Sequence, residues 1–201
     1  MRIGIDFDNT IVNYDAAFFR AARAHEWIGA DVPATRVAVR AALRAGPGGS
    51  DRWTALQGEV YGARLLEDGV VQEGWEAFWA WAALLGIPCA IISHKTLVPA
   101  VGPAYPLRDV ARTWLERQPW WRARSDAVPL IFAETLTEKI AQIAAQRCTV
   151  FIDDHLDVLT HPQFPAGVRR IWYGVDAASR DGIVACCDWA AVQAALAGVV
   201  R

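Results

Sequence analysis

The chain has 201 residues, of which 54% are hydrophobic and 21% charged; this is enough apolar surface for a buried core and excludes a disordered chain. A net charge of -2 offers no field for gathering a polyanion, so nucleic acid is not an expected partner. The longest uncharged stretch, "AFWAWAALLGIPCAIIS" from Ala77 to Ser93, is shorter than the ~20 apolar residues of a membrane span and is broken at Gly86-Ile87-Pro88, so no membrane association is expected.

The opening "MRIGIDFDNTIV" predicts a strand over residues 2–8. Ile3, Ile5 and Phe7 alternate along it, and the carboxylates Asp6 and Asp8 interrupt the apolar run, which argues against a secretory signal and for a soluble, cytoplasmic protein. Residues 13–68 are alanine-rich and helix-prone, and "IGADVP" and "GPGGSD" divide them into about three helices. Residues 72–85, "QEGWEAFWAWAALL", predict another helix, and "PCAIISHKT" a strand with a polar end. "PLRDVARTWLERQ" has the pattern of an amphipathic helix, and the basic run "WLERQPWWRARSD" is a solvated or packing surface. A strand at "VPLIFAET", a helix at "LTEKIAQIAAQ", a strand at "CTVFIDD" and a short helix through "HLDVL" follow. The last clear strand is "VRRIWYG", before a C-terminal helix at "WAAVQAALAG". Of the four cysteines, Cys89 and Cys148 open apolar runs and read as small core residues, and the Cys186–Cys187 pair as two buried thiols.

Short apolar strands alternating with helices predict an α/β fold, a Rossmann-like parallel sheet with helices on both faces. The helical stretch after the first strand is too long for a simple crossover and reads as an inserted helical subdomain. The expected division is a core of residues 1–12 and 69–201 and a helical cap of residues 13–68. Three apolar runs finish on polar groups: "RIGIDFD" on Asp6 and Asp8, "CAIIS" on Ser93, and "TVFIDD" on Asp153 and Asp154. Ligands of open parallel sheets bind beyond the carboxyl ends of the strands, where these groups would converge. Carboxylates gathered there repel one another, and a hard divalent cation with oxygen ligands, Mg2+ above all, removes the repulsion. Thr135 and Glu138 form a T-x-x-E capping box, which puts Lys139 in the first helical turn. A cation there opposes the helix dipole by ~0.3–1 kcal/mol, a mismatch that a bound phosphate would relieve.

"DFDNT", Ser93, Lys139 and "FIDD", in this order, resemble the four motifs of the haloacid dehalogenase (HAD) superfamily, and the resemblance covers essentially the whole chain. It implies a HAD-like core with a small cap inserted after the first strand. It further implies a Mg2+-dependent phosphatase acting on a small-molecule phosphate ester through an aspartyl-phosphate intermediate. Asp6 would be the nucleophile, and Asp8 the group that protonates the leaving oxygen and then activates water. The presence of the second acid separates phosphate-transferring members from the dehalogenases. Ser93 would hydrogen-bond a phosphoryl oxygen, and Lys139 would balance the charge. Mg2+ would be held by Asp6, the Asp8 carbonyl and Asp154, with Asp153 and Asp157 supporting from behind; which of Asp153 and Asp154 touches the metal stays open.

Lys95 is a rival for the lysine role. Asn9, Thr10 and His94 complete the strand-end candidates for substrate contact, Thr10 also ordering its loop and His94 serving as a structural hydrogen-bonder. In the expected cap, Trp53, Gln57, Tyr61 and Arg64 fall roughly on one helical face. Arg52 and Arg64 are the candidates for an anionic group of the substrate, while Trp53 and Tyr61 read as internal packing. A small cap suits a sugar phosphate, a nucleoside monophosphate (a 5'-nucleotidase-like activity) or an amino-alcohol phosphate. The motifs do not separate hydrolysis from phosphotransferase activity. Two further readings are a phospho-accepting module of the receiver type, disfavoured because its acid pair comes early in the chain, and a silent binding relative. Oligomeric state is not legible, although ten tryptophans leave scope for an apolar contact surface.

Overall fold

The computed structural model describes residues 1–174 and 178–198. The apolar opening becomes β1 (Ile3–Ile5), and after a tight turn the chain passes through β2 (Val12–Asn13). Four helices follow: α1 (Asp15–Ala24), α2 (Arg36–Ala45), α3 (Gly49–Tyr61) and the single turn α4 (Leu65–Asp68). The chain returns through β3 (Val70–Val71), which pairs with β2, to α5 (Trp75–Leu84) and β4 (Cys89–His94). Next come α6 (Leu107–Glu116), α7 (Pro119–Arg122), β5 (Leu130–Ala133), α8 (Leu136–Ala145) and β6 (Val150–Asp153). The chain closes with α9 (Leu156–Leu159), β7 (Arg169–Tyr173), β8 (Ile183–Cys186) and α10 (Trp189–Ala197).

The main sheet has six strands in the order β5-β4-β1-β6-β7-β8, every pair parallel. Counted within the sheet alone, the order is 3-2-1-4-5-6, the doubly wound Rossmann order. This is the α/β, helix-covered sheet that the alternation of strands and helices implied. β1 and β6 are buried at every residue and β4 at all but His94, as expected for central strands covered on both faces. One face carries α8 and α9, whose Ile140, Ile143, Val158 and Leu159 pack with Phe151 and Ile183 of the sheet. The other carries α5 and α10, where the Trp189 ring lies 4.8 Å from Trp75, 4.5 Å from Phe78 and 5.0 Å from Tyr173. Gly4 sits in the middle of β1 because a Cβ there would come within 2.5 Å of Phe151 Cδ2 and 2.7 Å of Cys148 Sγ.

Two readings are corrected. The edge strand β8, from "GIVAC", was not anticipated; it is short and only half its residues are buried, so its apolar run is weak. Cys186 is buried but Cys187 is exposed, because neighbouring residues at a strand end face opposite sides.

The chain divides into two compact units. The first holds Met1–Val12, Val71–Lys95 and the chain from Pro119 on; the second holds Asn13–Val70 and Thr96–Gln118. Within the second unit, α1, α2 and α3 pack on one another and α4 packs on α6. Trp114 of α6 donates its indole N–H to the Gly69 carbonyl at 3.1 Å. Trp53 stacks on Phe18 at 4.8 Å, and Tyr61 meets Tyr14 and Phe18 edge-on, so these aromatics are internal packing.

Candidate active site

The sheet order reverses at β1, which lies between β4 and β6. A ligand crevice in such a sheet opens beyond the carboxyl ends of these strands. Asp6 follows β1 directly, and its N–H donates to the Ile152 carbonyl of β6 at 2.9 Å, which fixes its Cα to the neighbouring strand. Ser93 lies on β4 and is 1% exposed; Asp153 ends β6 and is also 1% exposed. Past Asp6 the chain turns sharply. Asn9 takes φ 61°, a left-handed conformation that asparagine tolerates better than most side chains. The Phe7 carbonyl accepts from Ile11 and Val12, Gln72 Nε2 donates to the Asn9 carbonyl at 3.1 Å, and Trp189 Nε1 donates to the Thr10 carbonyl at 3.2 Å. This turn holds the Asp8 side chain at the strand ends. Thr10 Oγ1 is buried and has no hydrogen-bond partner among the described residues.

Thr135 caps α8, accepting from the Glu138 N–H at 3.1 Å, while Glu138 reaches back to the Glu134 N–H at 2.8 Å. One residue on, the Lys139 side chain is 3% exposed, and its Nζ lies 2.6 Å from Asp6 Oδ1 and 2.6 Å from Asp153 Oδ2. A second ammonium reaches the cluster from the end of β4. Lys95 Nζ lies 2.9 Å and 3.1 Å from the two oxygens of Asp8. Sequence spacing offers Lys95 and Lys139 as rivals; in the fold Lys95 meets Asp8, and Lys139 meets Asp6 and Asp153. Asp153 Oδ1 accepts from the His155 N–H at 2.8 Å, so both oxygens of Asp153 are engaged by protein donors. Asp154 is only half-buried, and its carbonyl is held by Trp172 Nε1 at 3.1 Å. Asp6, Asp153 and Asp154 each bring a carboxylate oxygen to within 4.8 Å of the others. Asp157 is exposed and lies beside His155 at 3.7 Å.

Burial pushes the Asp6 carboxyl up to about 7; Lys139 pulls it back, while Asp153 and Asp8 push it further. Burial likewise raises Asp153 to about 6 against the pull of Lys139. Burial would lower the Lys139 ammonium, but Asp153 and Asp6 outweigh it and hold the pKa above the ordinary lysine value. Perturbed groups collected in this way at strand ends are characteristic of sites that bind charge or do chemistry.

His94, Arg52 and Arg64 have other partners. His94 is exposed, and its Nε2 lies 3.1 Å from the Glu134 carbonyl. Arg52 and Arg64 belong to the second unit, where each has partners of that unit. Arg52 lies over the Trp27 ring at 5.6 Å. Arg64 meets Glu59 at 2.6 Å and Asp68 at 3.6 Å. The supports given by Gln72, Trp172 and Trp189 had no sequence signal, since each is a side chain reaching a distant backbone carbonyl.

Solved structures with this architecture span the whole chain. A HAD-superfamily hydrolase from Ehrlichia chaffeensis superposes with a TM-score of 0.62 at 12% identity, over 100% of this chain and 97% of that one. The fold is that of the haloacid dehalogenase superfamily. Protein tyrosine kinase A of Mycobacterium tuberculosis matches this HAD fold with a TM-score of 0.62 at 18% identity, over 97% of each chain. A HAD family hydrolase from Deinococcus radiodurans, solved with bound phosphate and sodium, matches with a TM-score of 0.56 at 15% identity, over 98% of this chain and 95% of that one. No family model matches the chain, and no curated protein matches its sequence significantly. On this HAD fold, "DFDNT" follows β1, Ser93 lies on β4, Lys139 on α8, and "FIDD" closes β6. Among the described residues, no helix is long and apolar enough to cross a membrane.

Proposed function

We propose that the chain is a Mg2+-dependent phosphatase that hydrolyses a small phosphate monoester through an aspartyl-phosphate on Asp6. The observation that carries this reading is the buried Asp6–Lys139–Asp153 set, with both contacts at 2.6 Å, beside Asp154 at the switch point of the sheet. Buried ion pairs are weak sources of stability, so a set of this kind is better explained by chemistry than by folding. With Asp8 and Lys95 included, four carboxylates face two ammoniums, a formal charge of -2 that one divalent cation cancels. The donors are all hard oxygens, which suits Mg2+.

Asp6, Asp154 and the Asp8 carbonyl would hold the metal, and Asp153, engaged at one oxygen by Lys139 and at the other by the His155 N–H, would brace the site. When bound, Mg2+ supplies positive charge beside the phosphoryl oxygens. A carboxylate oxygen of Asp6 attacks phosphorus, and the ester P–O bond breaks as Asp8, which has taken up a proton from solvent before this step, gives it to the leaving oxygen, releasing the alcohol. Asp8, now a carboxylate, takes a proton from the water that attacks the aspartyl-phosphate; phosphate leaves and Asp6 is regenerated. Ser93 donates to a phosphoryl oxygen, and Lys139 offsets charge on Asp6 and the phosphoryl group. Choice among sugar, nucleoside and amino-alcohol phosphates is assigned to residues 13–68, which we read as the cap and which contribute no strand to the six-stranded sheet. We place the protein in the cytoplasm.

The test is phosphate release from a panel of phosphorylated metabolites with Mg2+, for the wild type and Asp6→Asn. Asp6→Asn is expected to lose activity by about a thousandfold or more with an unchanged circular dichroism spectrum. Full activity in that variant sinks the reading. The kinase among the structural neighbours favours one variation, transfer to an acceptor other than water. Added acceptor alcohols that lower phosphate release while product alcohol still forms would establish it.

A further inference from the structure

We infer that Lys95 is a positioning residue for Asp8, the proton-carrying group of the proposed reaction; the inference rests on the phosphatase reading above. Lys95 is the first residue past β4, and its N–H donates to the Ala133 carbonyl of β5 at 2.9 Å. Its backbone is therefore fixed by the sheet. Its side chain is 2% exposed and passes the Phe7 ring, with Nζ 5.6 Å from the ring centroid. The ammonium then meets both oxygens of Asp8, at 2.9 Å and 3.1 Å. Asp8 is the more open partner, at 14% exposure. The buried member stands behind and the open member faces outward, which is the arrangement of a support and the group it aims.

Contact with both oxygens fixes the place of the Asp8 carboxyl. That matters for a group that must reach first the leaving oxygen and then the attacking water, because misplacement by about 1 Å can cost on the order of 100-fold in rate. Lys139 is committed to Asp6 and Asp153. The two lysines therefore divide the work: one serves the nucleophile, the other the proton carrier.

An effect transmitted through Asp8 has a signature that a general loss of structure or of phosphate binding lacks. An alkyl phosphate needs its leaving oxygen protonated, whereas para-nitrophenyl phosphate releases a phenolate stable without a proton. The experiment measures kcat and KM of the wild type, Lys95→Met and Asp8→Asn on para-nitrophenyl phosphate and on the fastest of glycerol, glucose and ethanolamine phosphates. Lys95→Met is expected to lose about 100-fold in kcat on the alkyl ester and less than about tenfold on the aryl ester, with KM little changed. Asp8→Asn gives the same skew, and the double variant is slower than Asp8→Asn by no more than about twofold, since the two residues act as a unit. Lys95→Gln keeps a polar head, gives the same direction of skew, and serves if the Met variant does not fold. Equal losses on the two esters, a loss carried in KM, or an additive double variant overturns the inference and leaves the phosphatase reading standing. A wild type inactive on every ester overturns both.

Discussion

Two sets of opposite charges lie in this molecule at the same contact distance. In the sheet unit, Lys139 meets Asp6 and Asp153 at 2.6 Å, with side chains 3%, 7% and 1% exposed. In the helical unit, Glu59 meets Arg64 at 2.6 Å and His25 at 2.6 Å, and Arg20 meets Asp68 at 2.6 Å, with side chains from 17% to 52% exposed. Geometry does not separate the two sets; water does. The exposed pairs exchange solvation for contact at nearly equal free energy, whereas the buried triad gives up solvation that its contacts only partly restore. The buried set is tense, with two carboxyls raised by burial, and the exposed set is relaxed. Charge that is costly to keep in place is where chemistry is to be sought.

The largest break in this contrast is Lys139→Met. It leaves Asp6 and Asp153 buried without their shared cation, a loss of about 3–5 kcal/mol near neutral pH. Urea unfolding of the metal-free variant at about pH 7.5 reads the loss directly, and at about pH 5 the loss shrinks because the carboxyls take up protons. A loss under about 1 kcal/mol at neutral pH would mean that the triad is solvated after all.

The second test is the pH dependence of the metal-free wild type. Asp6, raised by burial to about 7, and Asp153, raised by burial to about 6, hold protons in the folded chain that the unfolded chain releases near 3.8. The native state binds more protons across that window, so these groups make stability fall as pH rises from about 4 to 7. Scanning fluorimetry against Asp6→Asn isolates the contribution, at about 2–4 °C for each kcal/mol in a chain of this size. Mg2+ competes with those protons, so it should raise Tm more at about pH 8 than at about pH 5. The opposite ranking contradicts the assignment of the carboxylates to the metal.

The parts of this arrangement that were legible in sequence are those written in local pattern. An apolar alternation ending on Asp6, and apolar runs ending on Ser93 and Asp153, specify strands whose polar ends can share an edge, and the alternation with helices specifies a parallel sheet. What was not legible depends on which surface meets which. The amphipathic α6 announces a buried face, but not that α4 lies against it or that Trp114 reaches Gly69. Spacing presented Lys95 and Lys139 as competitors for one role, since a one-dimensional pattern does not reveal two cations arriving at one cluster from different elements. β8 escaped notice because an edge strand needs less apolar sequence than a central one.

The exposed charges of the helical unit should respond least. Glu59 is the hub of the helical unit's charges. Burial pushes its carboxyl up, but hydrogen bonds from His25 and Arg64 outweigh this and hold it below the ordinary value. The side chains of Glu59 and Arg64 are 21% and 27% exposed, so water screens the pair in either protonation state. A double-mutant cycle with Glu59→Gln and Arg64→Met, read by urea unfolding, is expected to give a coupling of about 0.3–1 kcal/mol that weakens further in high salt. As pH falls below the ordinary glutamate value of 4.5 the coupling should fade as Glu59 protonates, because a carboxyl with a lowered folded pKa contributes stability above its unfolded value and loses it as pH falls through the folded one. A coupling of about 3 kcal/mol or more, insensitive to salt, would make this pair a second buried set and remove burial as what distinguishes the two units.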